Sequence, residues 1–222
     1  MDIQDIIKTV DHTLLKQCAT TKEIEALCGE AVKYGAASVC VPPAHVGTAA
    51  SCLGGALPVC TVIGFPNGYS TTAVKCFEAA DAISNGAEEI DMVVNLGLVR
   101  EGRFDEMLAE IKAVKAACGD KLLKVIIETC MLSEEEKIQL CRVVSESGAE
   151  FIKTSTGFGG GGATREDVAL LRRECAEHVK VKASGGIASL EDARALIELG
   201  AERLGTSRVI KSVMAGEKDA ET

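Results

Sequence analysis

The sequence predicts a single α/β domain spanning residues 1–222, built as a (β/α)8 barrel of the TIM type. Three observations predict it: a short phrase that recurs four times, apolar runs that fall between the recurrences, and helix-start signals in the remaining gaps. The phrase is Gly35-Ala36-Ala37-Ser38-Val39, then Gly86-Ala87-Glu88-Glu89-Ile90, Gly148-Ala149-Glu150-Phe151-Ile152 and Gly200-Ala201-Glu202-Arg203-Leu204, spaced by 51, 62 and 52 residues. In each, glycine closes a helical pattern and an apolar β-like run begins. A period near 50 is too long for one βα unit and suits two, so the phrases mark alternate strands.

The other four strands are read as apolar runs near residues 7–14, 58–65, 122–129 and 179–183. Between strands, Thr20 with Glu23, Ser133 with Glu136, and Ser189 with Asp192 are N-terminal capping signals. Strand and helix alternate throughout, which implies a parallel sheet. No linker or low-complexity tract divides the chain, and only the tail from Gly216 to Thr222 reads as loose.

Composition agrees. The chain is 47% hydrophobic but only 3% aromatic, with no Trp. A Val, Ile, Leu and Ala core suits parallel strands buried on both faces. The formal charge of -9 argues against nucleic acid and anionic membrane surfaces as partners, while a small phosphorylated ligand remains compatible, because backbone N–H groups bind phosphate locally. The ten cysteines form no C-x-x-C pair and are read as free thiols. The opening residues have neither a basic nor an apolar stretch, and no apolar run approaches the length of a membrane span, so a cytoplasmic location is expected. No metal centre is expected either, since His12, His45 and His178 are scattered and none stands at ligand spacing from a cysteine.

Barrel strands send alternate residues inward. Glu89, Asp91, Val93 and Asn95 share one face of their strand, and Lys180, Lys182 and Ser184 share one face of theirs. Five residues beyond each repeat glycine stand Cys40, Asp91, Lys153 and Gly205, which should form one interior layer. Buried charges are costly unless paired or used, so Lys153 is the first functional candidate, with Lys182 from the next strand beside it. Two ammonium groups close together each disfavour protonation of the other, which is one way to obtain a neutral lysine nucleophile near pH 7. Asp91 would move protons, serve as counter-ion to the lysines, or do both; pairing for structure alone is the competing reading for Lys153. Cys40 ranks below these as a small core residue.

Glycine-rich turns after the late strands are the phosphate candidates: Thr156-Gly157, Ser184-Gly185-Gly186 and Gly205-Thr206-Ser207, with a helix starting near Ser207. The run Gly159 to Gly162 matches no nucleotide-binding pattern and reads as a mobile rim loop.

Four motifs in order, DHTLL (Asp11 to Leu15), EIDMVVN (Glu89 to Asn95), FIKTSTGFG (Phe151 to Gly159) and VKASGGI (Val181 to Ile187), resemble those of the deoxyribose-phosphate aldolases over about residues 7–210. The resemblance implies a (β/α)8 barrel with no cofactor and no metal. It implies reversible cleavage of 2-deoxy-D-ribose 5-phosphate to D-glyceraldehyde 3-phosphate and acetaldehyde, in deoxyribonucleotide catabolism. It makes Lys153 the Schiff-base lysine, Asp91 the proton donor and acceptor, and Lys182 the lysine that tunes the nucleophile and shares the proton transfers. Substrate contacts would fall to Asp11, Thr13, Cys40, Thr156, Gly157, Ser184, Gly185, Gly186, Gly205 and Ser207. Some members carry lysine and arginine where Phe158 and Ala188 stand here, which shifts phosphate binding toward backbone N–H groups, and the tail lacks the tyrosine of some members. A homo-oligomer, dimer or tetramer, is the expected assembly. Rival readings are another phosphosugar Schiff-base barrel, a pyridoxal phosphate enzyme using Lys153, and a barrel kept as a binding module.

Overall fold

A computed structural model describes residues 1–220, with side chains to residue 216. Eight parallel strands close into a barrel in sequence order: β1 (Val10–Thr13), β2 (Ser38–Val41), β3 (Val59–Ile63), β4 (Glu89–Val93), β5 (Leu122–Ile126), β6 (Phe151–Lys153), β7 (Lys180–Ser184) and β8 (Ala201–Thr206). Helices alternate with them: α1 (Ile3–Ile7), α2 (Thr21–Tyr34), α3 (Val46–Leu53), α4 (Thr72–Ser84), α5 (Leu96–Arg100), α6 (Phe104–Cys118), α7 (Glu134–Ser147), α8 (Arg165–Glu174), α9 (Leu190–Glu198) and α10 (Val209–Ala220). The expected TIM barrel is the fold.

All four repeat glycines lie at the helix-to-strand joints with left-handed φ values of 74°, 107°, 85° and 104°, a conformation that side chains bearing a Cβ resist. The three capping signals are complete capping boxes on α2, α7 and α9, each worth about 1 kcal/mol. Two expectations shift. The run from residue 7 is extended only from Val10, because Asp2 and Asp5 form a capping box that starts α1 and Ile6 and Ile7 are buried on its inner face. The tail read as loose from Gly216 is helical to Ala220, since one glycine costs a helix only about 1 kcal/mol and no proline interrupts it; residues 221–222 lie outside the described residues.

Outward strand residues such as Ile90, Met92, Val125, Ile152 and Val181 are buried against the helices. The inward set is different. In register, Asp91 stands opposite Lys124, Lys153 opposite Lys182, and Lys182 opposite Arg203. The tilt of a closed barrel lifts each strand relative to its neighbour, so residues two strands apart and two residues further along share a height. Cys40, Asp91, Lys153 and Gly205 form such a layer, with Asp11, Cys60, Lys124 and Lys182 between and beneath them.

Candidate active site

The barrel interior holds a charged core. Asp91 is fully buried at its centre. Its Oδ2 accepts from Lys153 Nζ and from Lys182 Nζ, each at 2.7 Å, and its Oδ1 accepts from Lys124 Nζ at 2.8 Å and from the Cys60 thiol at 3.2 Å. Beneath it, Lys124 reaches Glu89 at 2.6 Å, Arg203 binds Asp11 at 2.5 Å and Glu89 at 3.0 Å, and Ser38 donates to Asp11 at 2.7 Å. Lys182 also contacts Asp11, as a charge rather than through an aligned hydrogen bond. Gly205 is what lets the Lys182 side chain through: a Cβ there would lie 3.2 Å from Lys182 Cε and 2.8 Å from Ser184 Cβ.

These contacts fix protonation. Burial would raise the Asp91 carboxyl, but Lys124, Lys153 and Lys182 outweigh it and hold Asp91 well below the carboxylate range. Asp11 is likewise held down, against its own burial, by Lys182, Lys124 and Arg203. Burial would lower Lys182, yet Asp11 and Asp91 keep it above the ordinary lysine range, and Lys124 behaves the same way. Burial pushes the Cys60 thiol well up.

Above this core opens a cleft of about 280 Å³ at the C-terminal rim, lined by Thr13, Lys153, Thr156, Gly157, Ser184, Gly185, Gly186, Gly205 and Ser207 among others. All nine are residues singled out in the sequence. Asp11, Cys40, Asp91 and Lys182 lie below it with no exposure. The structure thus brings Asp91, Lys153 and Lys182 together and sets Asp11 beside Lys182, away from the cleft lining. Cys40 packs with Cys60 and Val62 under Leu15 and Phe65.

The far end of the cleft is built for an anion. Gly185 and Gly186 are consecutive left-handed residues, at φ 80° and 77°, which aims successive N–H groups into one concavity. The amides of Gly157, Gly185, Gly186 and Ser207 have no acceptor among the described residues, and α10 begins two residues after Ser207. Lys16 and Arg208, both exposed, line the same cleft. Sequence reasoning named neither of them and shifted phosphate binding toward backbone N–H groups. It also missed Lys124, Arg203, Ser38 and Cys60.

Among the described residues, two sets of potential metal donors have their ligand atoms within 4.8 Å of one another, Cys40 with Cys60 and Asp91, and Asp11 with Cys60 and Glu89. Their carboxylates are already engaged by lysines and Arg203, so a metal ion would have to displace ammonium or guanidinium groups, and the donor set does not fit one.

Residues 5–209 match the family described as DeoC/LacD family aldolase. The chain belongs to the DeoC/LacD aldolase family. Among aldolases of known sequence, it is 59% identical to the deoxyribose-phosphate aldolases of Streptococcus pyogenes serotype M28 and Streptococcus agalactiae serotype Ia, over 96% of this chain and 96% of each relative. Among solved structures it resembles QR15, an aldolase, with TM-score 0.91 and 39% identity over 97% of this chain and 98% of that one. It also resembles the deoxyribose phosphate aldolase of Aeropyrum pernix, described as a unique tetramer, with TM-score 0.85 and 32% identity over 96% and 92%. Among the described residues, no helix is long and apolar enough to cross a membrane.

Proposed function

We propose that this chain is a cytoplasmic class I deoxyribose-phosphate aldolase in which Lys153 forms the Schiff base. One observation carries the role: of the three lysines on Asp91, Lys153 alone also lines the cleft, while Lys124 and Lys182 have no exposure. The attacking amine must be neutral. Four cations (Lys124, Lys153, Lys182, Arg203) face three carboxylates (Asp11, Glu89, Asp91), so the core is balanced when one lysine carries no charge.

The neutral amine adds to the C1 aldehyde, and the carbinolamine loses water to give a protonated imine. The products have two and three carbons, so the bond that breaks is C2–C3. As a base removes the C3 hydroxyl proton, that oxygen becomes the carbonyl of glyceraldehyde 3-phosphate, and the C2–C3 electron pair passes into the imine to give an enamine. Protonation at C2 and hydrolysis then release acetaldehyde. Asp91 Oδ2, within 2.7 Å of both Lys153 and Lys182, links the reacting nitrogen to a second lysine and is placed to relay these protons. The phosphate would sit against Gly157, Gly186 and Ser207, whose amides have no acceptor among the described residues, with Lys16 and Arg208 beside it. Likeness to the Aeropyrum pernix tetramer supports assembly into a homo-oligomer.

Incubation with 2-deoxy-D-ribose 5-phosphate should yield equimolar acetaldehyde and glyceraldehyde 3-phosphate at a rate unaffected by chelator. No cleavage, or cleavage restored only by added metal, would overturn the reading.

A further inference from the structure

Glu128 is a buried carboxylate, 3% exposed, that the mechanism does not use. It follows β5 and is the one non-glycine among the described residues with left-handed φ, at 55°, a conformation held only where surroundings impose it. No lysine, arginine or histidine pairs with it among the described residues. Instead the Thr156 N–H donates to its Oε1 at 3.2 Å, the Thr156 hydroxyl donates to its Oε2, and the Phe158 N–H donates to Thr156 Oγ1 at 3.0 Å. The turn between Thr156 and Phe158 therefore hangs from one carboxylate, and Gly157 at its apex, whose amide has no acceptor among the described residues, lines the cleft.

The tetraglycine run, expected to be a mobile loop, is packed around the same point. A Cβ on Gly159 would lie 2.7 Å from Glu128 Cδ, one on Gly161 2.5 Å from Cys130 Cβ, and one on Gly162 2.5 Å from the Gly185 carbonyl carbon. These glycines clamp the β6 turn between Glu128 and the β7 turn.

We propose that Glu128 is a positioning residue for the anion end of the cleft, holding the Gly157 amide against the Gly185–Gly186 turn so that both face the substrate phosphate. This rests on the assignment of that end to phosphate. The Thr156 N–H can only donate, and its hydroxyl donates to Glu128 while its oxygen accepts from Phe158 N–H, an arrangement a carboxylate meets with both oxygens; glutamine offers one acceptor oxygen and would set its NH2 group against the N–H or force the hydroxyl to turn round.

In Glu128→Gln, KM for 2-deoxyribose 5-phosphate should rise about tenfold, the loss of one charge-assisted hydrogen bond. Its kcat, its turnover of unphosphorylated 2-deoxyribose and its borohydride-trapped acetaldehyde adduct should stay within about twofold, because those steps do not use the anion site. Thr156→Val should raise the same KM, and the double variant should add little to either change. Equal losses on both sugars, a weakened adduct, or an unchanged KM would each overturn the proposal. Inorganic phosphate, titrated calorimetrically into the wild type and Glu128→Gln, gives a readout independent of turnover. Weaker phosphate binding in the variant supports the positioning role even if no sugar is cleaved, and equal binding contradicts it.

Discussion

Lys153→Met is expected to lower kcat by about 10⁴-fold or more while leaving the fold intact, because it removes the atom on which the covalent intermediate forms. Neither neighbouring lysine is placed to substitute, since Lys124 and Lys182 are fully buried and engaged by carboxylates. The fold should survive because Lys124, Lys182 and Arg203 still balance Asp11, Glu89 and Asp91. Steady-state cleavage and a chemical denaturation curve check both halves. Residual activity within about 100-fold of wild type would mean that the reaction does not pass through Lys153.

Asp91→Asn should cost activity and stability together. Three lysines converge on this carboxylate from β5, β6 and β7, and removing one partner of a buried ion pair typically destabilises by about 3–5 kcal/mol. The pH dependence has a defined sign. Asp91 is held well below its ordinary value in the folded protein, so its contribution is complete above the unfolded carboxyl pKa of about 3.9 and is lost as pH falls from there toward the folded value. The difference between wild type and Asp91→Asn should therefore be constant near neutrality and shrink as pH drops below about 4. Denaturant midpoints measured from pH 3 to 7 read it directly, and a difference that grows toward low pH would contradict the arrangement.

The barrel was legible because its signals are local and repeated. Gly35, Gly86, Gly148 and Gly200 mark joints where only a left-handed residue ends the helix, and counting from them placed Asp91 and Lys153 in one layer. Counting from alternate strands passed over Lys124, although a lysine inside the apolar run LLKVIIE carries the same signal as Lys153 inside FIKTSTG. Arg203 was hidden inside the repeat phrase itself. Parity finds the face of a strand but not which charges meet across the barrel, so the sharing of Asp91 among three lysines depends on register. Lys16 and Arg208 were missed because they come from turns, where no periodicity places a side chain. Glu128 was illegible for another reason: its role depends on a backbone conformation and a hydrogen-bond pattern that leave no trace in residue spacing.

Borohydride reduction in the presence of acetaldehyde, followed by peptide mapping, tests the central claim most directly. The account predicts one stable two-carbon adduct, on Lys153 in the peptide containing FIKTSTG, with loss of activity in proportion to labelling; an adduct on Lys124 or Lys182, or inactivation without any lysine adduct, would contradict it.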